Sequence, residues 1–167
     1  MIQDIKERRF ARGGSTLSMQ LVKNVFLNRN KNIARKLEEA LIVWLIETEH
    51  LTPKARMYEV YLNIAEWGPM VYGIHEAASF YFNKCPSQLS LEESIFLASI
   101  VPNPKHFKNS FTADGRLQES QEGYFHLIAE RLAKKEVITD AQAAQVNINN
   151  VVLKGVAKSS FVSESWQ

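Results

Sequence analysis

Gly13-Gly14-Ser15-Thr16 opens a run of residues equipped for chemistry, followed by Gln20, Lys23 and Asn24, and then by Lys31, Arg35, Lys36 and Glu39. Paired glycines free the backbone, and Ser15 or Thr16 can cap the amides of the helix that follows. Unpaired N–H groups and the positive end of the helix dipole make such a start attractive to anions, phosphate above all. The same four residues also suit a well-capped helix that binds nothing. Lys23, Lys31, Arg35 and Lys36 lie downstream without an equal density of acid until Glu38. Glu39 is spaced i, i+3 from Lys36 and i, i+4 from Arg35, so on a helix a carboxylate stands among cations. As surface ion pairs, each would contribute roughly 0.3–0.5 kcal/mol and need no function.

The elements that must hold these groups are helices. Residues 2–10 read as the end of a charged helix running into a basic turn at Lys6, Arg8, Arg9 and Arg12. Leu17, Leu21, Val25 and Asn28 share one side of a helix over 16–28, and Leu37, Leu41 and Leu45 form an apolar stripe over 33–50. Thr52-Pro53 starts a helix over 53–63, which breaks at Trp67-Gly68-Pro69. Gly73 precedes a helix over 73–82 whose aromatics suit a core. Ser90-Leu91-Glu92-Glu93 is a capping box for 91–100. Pro102 and Pro104 end that helix, and a loop to Gly115 carries Lys105, His106 and Lys108. His106 could be a ligand or a proton carrier, although a lone loop histidine is more often neither. Helices over 116–135 and 140–146 follow, the second begun by Thr139 with Gln142 three residues on. Beyond Asn147 the sequence is ambiguous between a short strand and disorder. The reading is therefore an all-α domain over 1–146 with a tail over 147–167.

Composition narrows the function. The chain has 167 residues, enough for one domain with a respectable core. Its net charge of +2 is no polyelectrolyte signal, so attraction for anions must be local, in Arg29 to Lys36. Nucleic-acid binding has only the basic turn in its favour and no interleaved aromatics. The single Cys85 excludes an internal disulfide and reads as a small, buried or half-buried apolar side chain. MIQDIKERRF has no apolar region of the kind an export signal carries, and no window approaches a membrane span.

GGSTLSMQLVKN resembles the second signature of the peptidoglycan glycosyltransferases of family 51, and RKLEEALIVWLIE resembles the third, with Glu39 as its Glu. RMYEVYLNIAEWGPMVYGIHEAASFYF is similar to the fourth, its EWGP closest to members lacking a transpeptidase domain, and LSLEESIFLASIVPNPKHF is similar to the fifth. Four signatures in family order over Gly13 to Phe107 are far more specific than any one alone.

The resemblance implies a lysozyme-like helical fold, with a cleft between a large lobe and a small membrane-facing lobe. It implies polymerisation of lipid II: the 4-hydroxyl of an acceptor sugar joins the anomeric carbon of a growing glycan strand, and undecaprenyl pyrophosphate leaves. Lys23, Lys31 and Lys36 match positions that contact the pyrophosphate. Ser15, Thr16, Gln20 and Asn24 match polar positions lining the donor cleft. Glu39, beside Arg35, matches an acid that supports those cations or a divalent ion, Mg or Mn. Two positions depart from the pattern. Lys31 stands where many members have Arg, and Met19 replaces a polar residue.

The principal catalytic Glu of the family sits in a first signature, Glu-Asp with a following Phe and His, upstream of GGST. Asp4 and Glu7 are too close to Gly13 to serve. We therefore expect a fragment of a longer enzyme, inactive alone, with work at the outer face of the bacterial inner membrane and a tether on a longer parent chain. Self-association through an exposed apolar surface is a corollary. The rival readings are a non-catalytic lipid-phosphate or glycan-binding module of the same fold, and a lysozyme-like glycan-cleaving enzyme, against which the basic cluster argues.

Overall fold

A computed structural model describes residue 42 and residues 53–162. The chain divides into two compact units, Met1–Tyr61 and Leu62–Gln167. Of the first, residue 42 is helical, and the expected helices over 16–28 and 33–50 otherwise lie outside the described residues. Helix α1, Lys54–Ile64, crosses the boundary and matches its expected span. Pro53 begins it well: its carbonyl accepts from the Arg56 and Met57 amides at 3.0 and 3.2 Å, while proline has no N–H to leave unpaired.

In the second unit the break after α1 is a small antiparallel hairpin, β1 (Glu66–Gly68) and β2 (Val71–Tyr72), with Glu66 opposite Tyr72 and Gly68 opposite Val71. Met70 supplies the left-handed turn residue at φ 63°. Gly73 then joins the hairpin to α2 (Ile74–Phe82). Its φ is 82°, its amide donates to the Ala65 carbonyl at 3.0 Å, and a Cβ there would lie 2.8 Å from the Asn63 carbonyl oxygen. Only glycine combines that backbone with that approach. Asn83, left-handed at φ 53°, ends α2.

Helix α2 buries Ala77, Ala78, Tyr81 and Phe82, so its aromatics are core, as their spacing predicts. Tyr81 meets Phe107 and Phe96 edge-on at centroid distances of 5.0 and 5.4 Å, a favoured aromatic geometry. Helix α3 (Leu91–Ile100) starts on the expected capping box: Ser90 Oγ accepts the Glu93 amide at 3.2 Å, and Glu93 Oε2 accepts the Ser90 amide at 2.8 Å.

Three expectations need correction. Cys85 is exposed, because it caps the short 3-10 turn Pro86–Gln88 through its amide, which donates to Gln88 Oε1 at 3.1 Å, and lies outside the packed face. The segment after Pro104 is not plain loop: Pro104–Ser110 forms 3-10 turns that carry Phe107 into the core. The helix expected from residue 116 begins only at Glu122, since Leu117 bridges to Phe111, Arg116 bridges to Val152, and Glu119–Gln121 is a 3-10 turn. That helix is α4, Glu122–Lys134, and it buries Phe125 and Ala129.

Helix α5 (Asp140–Ala144) starts on the Thr139–Gln142 capping box. Past Asn147 a 3-10 turn, Ile148–Asn150, leads to the bridge at Val152 and to α6 (Gly155–Val162). This segment is folded into the unit: Val151, Leu153 and Ala157 are fully buried, and α6 packs on α2. Among the described residues the architecture is helical with one two-stranded sheet, in keeping with the expected fold class.

Candidate functional site

Ser15, Thr16, Gln20, Lys23, Asn24, Lys31, Arg35, Lys36 and Glu39 all lie outside the described residues. The described residues do include the fourth and fifth signatures, residues 56–82 and 89–107, and of these residues 62–82 and 89–107 form a connected frame in the second unit.

The hairpin is the centre of that frame. Glu66 on β1 meets Lys105 across 3.4 Å, joining the fourth signature to the fifth. Glu66 keeps a quarter of its side chain exposed and Lys105 more than half, so this is a solvated pair worth at most about 1 kcal/mol. The stronger tie is buried. Tyr81 Oη, at the end of α2, donates to the Trp67 carbonyl oxygen at 2.7 Å. Burial pushes the Tyr81 phenol well above its ordinary range, which favours the protonated, donating form. Gly68 allows this contact, because a Cβ there would come within 2.7 Å of Tyr81 Oη. Trp67 is itself buried, and its indole Nε1 has no hydrogen-bond partner among the described residues.

Two carboxylates on α3, Glu92 and Glu93, are buried, and their surroundings give both a structural role. Glu93 is 3 % exposed; both of its oxygens lie 2.8 Å from Lys84 Nζ, and one also accepts the Ser90 amide. Glu92 Oε1 accepts Asn150 Nδ2 at 2.9 Å and the Asn147 amide at 3.4 Å. Burial acts to raise the Glu92 carboxyl, but the hydrogen bonds it accepts, that from Asn150 foremost, outweigh burial and hold it below the usual range. Both acids are engaged in tying α3 to its neighbours. His106 is exposed, with Nδ1 2.8 Å from Asn103 Oδ1. Among the described residues, no three His, Cys, Asp or Glu side chains converge to hold a metal ion, and no helix is long and apolar enough to cross a membrane.

Glu66, Lys105 and Tyr81 lie within the signatures, but nothing in the signatures' wording marks them as partners. The wording Glu-Trp-Gly ahead of an aromatic helix was the available signal. Pairing across it depends on where the hairpin turns, which helical periodicity does not encode.

A family model described as Transglycosylase matches residues 1–133, a span holding all four signatures. A biosynthetic peptidoglycan transglycosylase of Dechloromonas aromatica is 44% identical over 115 residues, covering 69% of this chain and 49% of that protein. That of Chromobacterium violaceum is 39% identical over 135 residues, covering 81% and 56%. That of Nitrosomonas eutropha is 48% identical over 105 residues, covering 63% and 42%. The chain thus spans about half the length of the curated relatives it matches.

Proposed function

We propose, since the chain belongs to the transglycosylase family, that it forms the donor side of a peptidoglycan glycosyltransferase acting on lipid II at the outer face of the bacterial inner membrane. The observation that carries this reading is the family match across residues 1–133, which takes in the basic, hydroxyl-rich segment from Ser15 to Glu39. Lys23, Lys31 and Lys36 neutralise the departing undecaprenyl pyrophosphate, which is the charge that develops as the glycosidic bond breaks. Ser15, Thr16, Gln20 and Asn24 orient the donor by hydrogen bonds. Arg35 and Glu39 keep the cations in register. A divalent ion at Glu39 would add Lewis-acid charge beside the same phosphates.

Proton removal from the acceptor's 4-hydroxyl needs a positioned carboxylate, and these 167 residues hold no first-signature Glu-Asp. On this reading they bind donor without polymerising it. The alternative is a non-catalytic module of the same fold that binds lipid phosphate or glycan.

Titration calorimetry with a soluble short-chain polyprenyl pyrophosphate tests the donor site. Lys23→Ala and Lys36→Ala should each weaken binding by roughly 1.5–3 kcal/mol, the worth of a hydrogen bond to a charged group. Lys158→Ala, an exposed cation on α6, should not. Glu39→Gln separates two roles: a modest loss marks an anchor for Lys36 and Arg35, and a lost metal dependence marks an ion site. Equal losses from all three lysine variants would make the cations general surface charge and end the donor-site reading. Adding the upstream segment of a longer relative and recovering lipid II polymerisation would favour the enzyme over the module.

A further inference from the structure

Helix α4 carries opposite charges at its two ends. Glu119, in the 3-10 turn ahead of it, and Glu122, in its first turn, stand at the start, while Arg131, Lys134 and Lys135 stand at the close. That order suits the dipole of α4 itself, so charge alone assigns no partner. The outward face adds a second observation. Phe125 and Ala129 are buried, and on the opposite side Gly123, Leu127, Glu130 and Lys134 recur at steps of four, three and four residues. Those steps are the spacing of a helix–helix seam. All four are exposed, Leu127 by 44 %, and Tyr124, on one flank with Arg131, is 40 % exposed. Gly123 weakens the helix relative to alanine. A Cβ there would meet nothing within 4 Å, so no neighbour within the chain requires the glycine.

We propose that this seam pairs with the same seam of a second copy, the two α4 helices running antiparallel about a two-fold axis between Leu127 and Glu130. Reversal brings Lys134 of one copy over the bare backbone of Gly123 in the other, which leaves room for the lysine stem. Its ammonium then reaches the acidic end formed by Glu119 and Glu122. Arg131 comes to the exposed ring of Tyr124 in the other copy, a cation–π contact. Leu127 lies beside the axis against the aliphatic stem of Glu130. Each contact is made twice, because a two-fold interface uses one patch on both copies. A parallel pair would set like ends together. A purely acidic partner would meet Glu130 in the middle of the seam, and a purely basic one would meet Lys134; the mixed pattern complements itself. A seam one helix long is smaller than the roughly 1,200–2,000 Å² of a stable interface, so the Kd is on the order of 100 μM. The seam lies outside the four signatures, and the inference stands apart from the donor-site reading.

Sedimentation equilibrium of the full chain tests it. Wild type should dimerise in this weak range, less so as salt is added. Glu119→Lys/Glu122→Lys and Lys134→Glu/Lys135→Glu should each weaken dimerisation at least about tenfold, because like charges then meet across the axis. An equimolar mixture of these two variants should dimerise as wild type does, and so should a single chain carrying all four substitutions. Both combinations set opposite charges together again. Within one helix the fourfold variant is the least favourable of all, so its recovery separates pairing from helix stability. Gly123→Gln should raise helix content and still lower dimerisation. All substituted positions are exposed, and the ellipticity at 222 nm checks that each variant keeps its helices. A wild type that stays monomeric would overturn the proposal, as would a mixture or fourfold variant no better than the charge-reversed variants alone. An equal loss from Lys158→Glu, an exposed lysine on α6, would reduce the effect to general charge and overturn it as well.

Discussion

Tyr81 Oη donates to the Trp67 carbonyl 2.7 Å away, and the same hydroxyl fills the space a side chain at Gly68 would need. Removing the hydroxyl and adding a Cβ are therefore coupled changes. Tyr81→Phe should cost about 1–3 kcal/mol by leaving a buried carbonyl unpaired. Gly68→Ala alone should cost a similar amount through the clash. The double variant should cost less than their sum, because the phenylalanine vacates the space. Urea unfolding of the four proteins measures the coupling, and strict additivity would contradict the contact.

Glu93 and Lys84 form the most buried ion pair among the described residues, with side-chain exposures of 4 % and 29 %. Lys84→Met should destabilise by about 2 kcal/mol, less than the roughly 3–5 kcal/mol of a fully buried pair because water reaches the lysine. Glu93→Ala should cost more, since it also removes the cap on the Ser90 amide. A double-mutant cycle by chemical denaturation reads both effects.

Glu92 gives the fold a pH dependence of known sign. Its carboxyl is held below the ordinary value in the folded chain. The resulting stabilisation is complete above the unfolded pKa, near about 4.3, and is lost as pH falls through the folded value. Glu92→Gln should flatten the acid limb of a melting-temperature profile and leave its neutral region parallel to wild type. An unchanged acid limb would show that Asn147 and Asn150 hold the carboxylate too weakly to matter.

Two left-handed residues in the hairpin region should respond by different amounts. Gly73→Ala meets both the positive φ and the Asn63 carbonyl, and should cost at least about 2 kcal/mol. Met70 is 83 % exposed at φ 63°. Met70→Gly relieves its backbone strain at the cost of a more flexible unfolded chain, for a net change under about 1 kcal/mol. Differential scanning calorimetry of the pair distinguishes the positions.

What was legible in the sequence follows from what sequence carries locally. The capping boxes at Ser90 and Thr139, the proline start at Pro53 and the aromatic face of α2 are written within a few residues, and all appear in the structure. Arg116, Leu117 and Leu153 were not legible. Their conformations are set by partners distant in the chain: Arg116 bridges Val152, Leu117 bridges Phe111, and the Leu153 amide donates to the Gly115 carbonyl at 2.8 Å. Cys85 was misread for a related reason, since a small apolar side chain says nothing about the turn that carries it outward. Of the site, the signatures identified the family, while Glu66–Lys105 and Tyr81–Trp67 emerged only from the folded hairpin.

The packing of α6 on α2, with the Lys154 amide donating to the Tyr81 carbonyl at 2.8 Å, sets a timetable for the nascent protein. At about 5–20 residues per second, the ribosome delivers Leu153 roughly 4–15 s after Tyr81. During that interval the half-made core of α2 presents an aromatic surface that any chaperone near the tunnel exit can grip. The core around α2 is thus completed only after residues 153–157 have been made, and translation speed through residues 82–157 becomes a determinant of yield.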